Sequence, residues 1–567
     1  MILDLEHNVE TQPLFTDICI LGGGPAGLTI AKEFLGAGVK AIVVESGGLS
    51  DDKRAVALYD GFSVGHPVDL FLGRYRILGG ASTRWGGRCA VLDPLDFEYR
   101  PWVPNSGWPI AYKDLAPFYE RAKSICNFRL PWLSQEAIET ALNTTLPPLS
   151  SRALSTQVWR YATSALSKSI LGKGHNSFRA ALNFGSAFRD AFKVDSDITV
   201  LLHGNITHFE FSESATKVES VQVSTLDGRK TKIVARHFIL CCGGIENPKI
   251  ILNFPHNVLS RVNRYDNVGR YFHQHPVGTV GVIEADRAAT LSLQKTFNMF
   301  FRREMSTQYE IGLSLSSSTQ QKLGLLNASV ALYYGLDHYR VWRSAQRVRG
   351  IINGTYDFNP ALLVDLIIMI FGAPVIADNI IRRFVLGREV RKRRASIRAV
   401  VNLEQQPDRE SRVYLSNDVD AMGMKKIVID WKISKRERET AQFIARALEL
   451  ELQANKLGRL RMEPWLTSDS SLTENDLKSN LHFMGATRMA HTDRTGVVDK
   501  DCKLFGLENL FVAGTSVFPT GGHANPMLTI VALAIRLADH LKCKLLVRER
   551  DLENQQQHPQ CTGSIVR

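Results

Sequence analysis

His482 and Asn525 are the residues of this sequence best suited to moving a proton at a bound small molecule. His482 opens the run His482-Phe483-Met484-Gly485-Ala486-Thr487-Arg488-Met489, and Asn525 lies in Gly521-Gly522-His523-Ala524-Asn525-Pro526. A neutral imidazole can take a proton near neutral pH, and a carboxamide can hold an oxygen in place. Between them, Leu510-Phe511-Val512-Ala513-Gly514-Thr515 reads as a short buried strand ending in a glycine turn. Residues 528–541 then have the apolar spacing of a buried helix. Base, turn and helix N-terminus are thus expected at one place, an arrangement suited to deprotonating a substrate while a cofactor takes the hydride.

The N-terminus supplies the element that would hold such a cofactor. An apolar strand at 17–21 runs into Gly22-Gly23-Gly24-Pro25-Ala26-Gly27, a helical stretch at 28–35 follows, and a second strand at 40–44 ends in Glu45. Strand, G-x-G-x-x-G, helix, strand and acid form the dinucleotide fingerprint in its required context. Gly22 permits the turn, Gly24 lets the backbone approach a pyrophosphate, and Gly27 lets helix and strand pack closely. The helix start presents free N–H groups to phosphate, and Glu45 can accept from ribose hydroxyls. The fingerprint alone does not separate NAD from FAD. No second glycine fingerprint follows a later strand, and the C-terminal strand, turn and helix resemble those that close over a flavin ring, so FAD is the reading.

Taken together, these motifs resemble the glucose–methanol–choline (GMC) flavin oxidoreductases over most of the length. The resemblance also rests on 78–88 (Leu-Gly-Gly-Ala-Ser-Thr-Arg-Trp-Gly-Gly-Arg), similar to the family's flavin-contacting loop, and on 238–248, 267–272 and 482–541. It implies an α/β FAD-binding Rossmann-type domain, of the p-hydroxybenzoate hydroxylase-like kind, with an interleaved α+β substrate domain built on an antiparallel sheet. His482 matches the catalytic base and Asn525 the second position, where members carry His or Asn. The His–Asn version looks most like the pyranose oxidase and sugar dehydrogenase branch. The implied reaction is oxidation of a CH–OH group of a sugar, glycoside or polyol. His482 takes the hydroxyl proton, Asn525 orients the substrate oxygen, and hydride passes to the flavin. The implied cofactor-binding set is Gly22, Gly24, Pro25, Ala26, Gly27, Glu45, Gly79, Gly80, Ser82, Thr83, Gly514, Thr515, Asn525 and Pro526, with no metal. Pyranose oxidases carry a flavin-linked His where this chain has Arg84, so FAD is expected to be non-covalent. His273 and His275 read as structural or flavin-proximal, Glu246 and Asn247 as turn residues at a helix start, and His523 as either flanking the site or packing beneath its turn.

At 567 residues and 44% hydrophobic content, the chain is long enough for two cores and has ordinary globular composition. Its eight cysteines have no metal-ligand spacing and read as buried free thiols. The expected organisation is a first cofactor-binding part at 1–101, a cofactor cover at 102–188, a second cofactor-binding part at 189–270, a substrate domain at 271–480, a third cofactor-binding part at 481–546, and a polar, disordered tail at 547–567. Residues 401–405 and 411–415 read as paired strands around a turn at 406–408. The opening Met1–His7 lacks a basic and apolar leader, which reads as a cytoplasmic protein.

Residues 340–398 stand apart. They hold twelve Lys or Arg against four acids, which accounts for most of the formal charge of +12, around an apolar run at 366–377. Twelve apolar residues are too few to span a bilayer. The plain reading is a core or lid helix beside a solvated basic face. The alternatives are peripheral contact with an anionic inner membrane surface through 361–394, or a site for an anionic substrate. Nucleic acid is excluded, since no aromatic and basic platform accompanies the charge. Oxygen, a quinone or a carrier protein all stand open as electron acceptor. The competing function is an FAD-binding protein without alcohol turnover, in an assembly or lyase-like role.

Overall fold

The computed structural model describes residues 1–7, 12–128, 139–140, 146, 148–163, 181–302, 307–335, 341, 344, 347–348, 351, 362–381 and 396–557. Among them, the apolar strand Leu14–Leu21 lies inside an eight-stranded sheet. The order is Ile2–Asp4, Ile198–Leu202, Ala41–Val44, Leu14–Leu21, Lys230–Leu240, Val218–Ser224, Asn205–Phe211, and Leu510–Val512 also pairs with Lys230–Leu240. Pairing is parallel from Ile2–Asp4 to Lys230–Leu240 and at Leu510–Val512, and antiparallel over the last two strands of the order. The unbroken apolar runs Ile18-Cys19-Ile20-Leu21 and Ala41-Ile42-Val43-Val44 suit strands covered on both faces. Helices Pro25–Glu33 and Met527–Gln557 pack together in the cover of this sheet, sharing its core.

The second sheet has nine strands among the described residues and is antiparallel throughout. Its middle is Pro276–Glu284, Ile397–Leu403, Ala328–Tyr334, Thr307–Leu315 and Leu154–Tyr161. Helix Lys435–Ala454 closes one side, placing Ala441, Ile444, Ala445, Leu448 and Leu452 in the same core as Val280 and Val401. A small third sheet, Gly61–Gly65, Lys425–Trp431 and Arg412–Val419, forms a separate cluster with Phe272 and Phe483.

Two local expectations fail. Residues 401–405 and 411–415 do not pair. Ile397–Leu403 lies between Pro276–Glu284 and Ala328–Tyr334, whereas Arg412–Val419 pairs with Lys425–Trp431 across the turn at Asp420 and Gly423. Apolar alternation sets which face a strand buries, not which neighbour it joins. The tail is not disordered from Val547, since the C-terminal helix continues to Gln557. Its Arg, Glu, Leu and Gln residues are good helix formers and extend a helix already nucleated by the buried stretch before them. In addition, Leu154–Tyr161, from the stretch expected to cover the cofactor, is a strand of the antiparallel sheet.

Candidate active site

The turn after Leu14–Leu21 is built so that only glycine fits. Gly22 has φ +118°, and a Cβ there would sit 2.6 Å from the Cys241 carbonyl oxygen. A Cβ on Gly27 would fall 2.0 Å from the Gly22 oxygen. Gly24 differs, because a Cβ there would meet nothing within 4 Å. Its backbone borders a cavity of about 560 Å³, within the usual range of small-molecule and cofactor sites. Glu45 is buried at the end of the next strand and accepts from Gly23 N (2.9 Å) and Gly47 N (2.8 Å). Burial raises its pKa despite those donors and nearby Arg76. An open glycine backbone at a helix start, beside a carboxylate, fits the pyrophosphate and ribose of a dinucleotide.

The same cavity reaches His482 and Asn525. The segment carrying His482 is fixed on two sides. Met484 pairs with His273 in both directions (3.0 and 2.8 Å), and Thr487 and Met489 donate to the carbonyls of Ser516 and Val517 (both 2.8 Å). Thr515 Oγ1 donates to the Phe483 carbonyl (2.5 Å). Gly485 has φ +85°, and a Cβ there would lie 2.2 Å from the Tyr271 oxygen, so this crossing also requires glycine. Asn525 comes just before helix Met527–Gln557 and is half-buried in the cavity wall.

His275 determines how His482 is presented. His275 Nε2 lies 3.2 Å from the Gly521 carbonyl oxygen, which can only accept, so this nitrogen carries the proton. His275 Nδ1 is then an acceptor, 2.8 Å from His482 Nδ1. His482 therefore donates from Nδ1, and its Nε2 is left as a free base. Burial, together with His275 and Arg88, holds His482 well below the usual histidine pKa. Burial likewise brings His275 and His273 to about 4. These imidazoles are neutral at neutral pH.

Ten of the expected cofactor-binding residues line the cavity: Gly22, Gly24, Pro25, Ala26, Glu45, Gly80, Gly514, Thr515, Asn525 and Pro526. The other four shape the loops behind it. Gly27 packs helix on strand, and Gly79 has φ +102°. Ser82 Oγ donates to the Gly79 carbonyl (2.6 Å) and accepts from Phe184 N (3.1 Å), while Thr83 Oγ1 donates to the Gly80 carbonyl (2.8 Å). Arg84 lines the cavity, pairs with Asp51 and lies 4.8 Å over the Tyr75 ring. His523 is buried beneath the turn, 3.7 Å from Asp93, with its carbonyl held by Asn402 Nδ2 (2.7 Å).

Sequence reasoning overlooked several of the wall residues. Arg74 and Arg76 both pair with Glu246 (2.5 and 2.8 Å), so Glu246 is an ionic anchor in addition to its place in the first turn of a helix. Asn247 joins that helix to the turn after Leu510–Val512, through the Ala513 carbonyl (3.1 Å) and Ser516 Oγ (3.0 Å). Arg88, Tyr333 and Asn402 also face the cavity. No local motif marks these residues as part of the wall, because Arg88, Tyr333 and Asn402 reach the cavity from segments far apart in the chain.

A parallel dinucleotide-type sheet, an antiparallel second sheet and one cavity walled by both define a two-part architecture with the site between the sheets. Residues 407–534 match the family described as GMC oxidoreductase. It is 20% identical to the fructose dehydrogenase large subunit of Gluconobacter japonicus, over 94% of this chain and 98% of that one. Identity to the C-glycoside 3-oxidase of Arthrobacter globiformis is 34%, over 25% of this chain and 27% of that one, so this match spans about a quarter of the relative's length. The crystal structure of pyridoxine 4-oxidase from Mesorbium loti superposes with a TM-score of 0.51 at 15% identity, over 93% of this chain and 99% of that one, which is a likeness of fold.

Proposed function

We propose that this protein is an FAD-dependent enzyme that oxidises a CH–OH group of a sugar, glycoside or polyol to a carbonyl. The observation carrying this reading is the single cavity that joins the glycine cradle and Glu45 to His482 and Asn525. The sugar-oxidising and sugar-dehydrogenating names of the relatives support this substrate class and favour turnover over a purely cofactor-binding role. Segments 1–101, 189–270 and 481–546 hold the cofactor in this reading, and 271–480 receives the substrate.

Bound FAD supplies the hydride acceptor. His482, neutral and with Nε2 free, takes the proton of the substrate hydroxyl. The Asn525 amide donates to the same oxygen and fixes its direction. The antiparallel sheet contributes Ser329, Tyr333 and Asn402 to the wall where hydroxyl-rich substrates are held. Arg84 is engaged with Asp51 and Tyr75 and offers no nucleophile for a flavin bond, which supports the reading of a non-covalent FAD.

Anaerobic addition of a panel of sugars, glycosides and polyols should bleach the flavin band near ~450 nm. His482→Ala should keep the flavin and lose about a hundredfold or more in reduction rate. An unchanged rate removes His482 from the chemistry. Acid precipitation should leave the flavin in the supernatant; a yellow pellet shows a covalent bond.

A further inference from the structure

We propose that helix Leu362–Ile380 docks this protein on the surface of an anionic lipid bilayer. Leu363, Val364, Ile367, Ile370 and Phe371 are 54–83% exposed, and Leu366 is 39% exposed. At 3.6 residues per turn these six lie on one face about 160° wide. The opposite face is fastened to the protein. Asp365 is buried, accepts from Ser344 Oγ (2.7 Å) and Arg347 Nε (2.7 Å), and pairs with the Arg347 guanidinium. A Cβ on Gly372 would lie 2.4 Å from Val341. The helix is therefore held in place with its large apolar side chains turned to water, which core packing does not explain. A contiguous patch of this kind marks an interaction surface.

Charge and length identify the occupant. The stretch 340–398 carries twelve cationic residues and four acids, and Arg382, Arg383, Arg388 and Arg391-Lys392-Arg393-Arg394 follow the helix directly in sequence, outside the described residues. A second copy of this chain would bring a stretch with the same positive balance, and like charges brought together oppose association. An anionic surface gains from them. The apolar run 366–377 is too short to cross hydrocarbon, and among the described residues no helix is long and apolar enough to do so. An apolar face of this width with basic flanks suits the headgroup–acyl boundary of an anionic leaflet. The helix belongs to the connection between strands Ala328–Tyr334 and Ile397–Leu403, which contribute Ser329, Ala331, Tyr333, Val400, Val401 and Asn402 to the cavity wall.

The test is co-sedimentation of the full flavin-loaded chain with phosphatidylcholine vesicles, with or without about a third phosphatidylglycerol. Binding should require the anionic lipid and fall about tenfold or more between low and high salt. The triple variant Ile367→Ser, Ile370→Ser, Phe371→Ser should lose about tenfold or more in partition at unchanged flavin content and melting temperature. Phe371→Trp supplies an independent readout in the native fold: its emission should shift to the blue when anionic vesicles are added. The proposal is overturned by absence of sedimentation with anionic vesicles, by equal binding of the triple variant, or by an unshifted tryptophan. It is also overturned if the chain dimerises through this face without binding vesicles.

Discussion

His275 and His482 meet through their Nδ1 atoms at 2.8 Å with rings nearly perpendicular, and the Gly521 carbonyl on the far side of His275 decides which of the two donates. His275 is a positioning residue, since it acts on the substrate only through the tautomer of His482. His275→Leu removes the acceptor and frees His482 to carry its proton on either nitrogen. Turnover should fall about tenfold to a hundredfold, with KM little changed. His275→Asn places an amide oxygen near the lost Nδ1 and should recover most of the rate. Equal loss in both variants would reduce His275 to a packing residue.

Stability should fall on acidification from about pH 6.5 toward pH 4. His273 and His275 are fully buried and held at about 4, below the ~6.5 of an exposed histidine. Between these values the unfolded chain binds protons that the folded chain refuses, so stability rises with pH there and is level above it. His482 and His523 are shifted the same way. Each group contributes a slope approaching ~1 kcal/mol per pH unit inside the window. Urea midpoints of the flavin-bound protein across this range check it, and a flat profile from neutral to about pH 4.5 contradicts the buried neutral state.

The glycines of the fingerprint should separate into two kinds. Gly27→Val forces a side chain against the Gly22 carbonyl and should give little folded protein. Gly24→Ala has room within the protein, so it should fold with near-normal stability and yet lose FAD affinity, because its methyl occupies the space the pyrophosphate needs. Flavin content against melting temperature distinguishes them. A Gly24→Ala protein with full flavin would move the pyrophosphate elsewhere.

Glu246→Gln should destabilise the protein by about 3–5 kcal/mol, since it leaves buried positive charge without its counter-charge. Glu246 lies between Arg74 and Arg76, with the Lys249 ammonium 4.0 Å away. Burial opposes its ionisation, but these three cations bring its pKa down. Thermal melts of Glu246→Gln and of the double variant Glu246→Gln, Arg74→Met measure this. The double variant should recover part of the loss, and failure to recover any would point to packing.

The fingerprint at Gly22–Gly27 and Glu45 and the strand–turn–helix around Asn525 were legible in the sequence because each is local. Glycine needs positive φ or close approach within a few residues, and a helix writes its own period. The sequence likewise marked His482 by the motif around it. It could not give strand partners, since alternation is silent about neighbours, so the expected pairing of 401–405 with 411–415 does not form. It could not give the His275–His482 pairing either, because 207 residues of chain separate the two rings, and they meet through the bridge at His273 and Met484 and the pairing of Pro276 with Ser479. The apolar helix Leu362–Ile380 makes the same point. Its composition predicts burial, but Asp365 and Gly372 bind the narrow side to the protein and turn the wide apolar side outward. Residue types and local spacing determined the chemistry available, and the tertiary structure decided which groups meet and which face water.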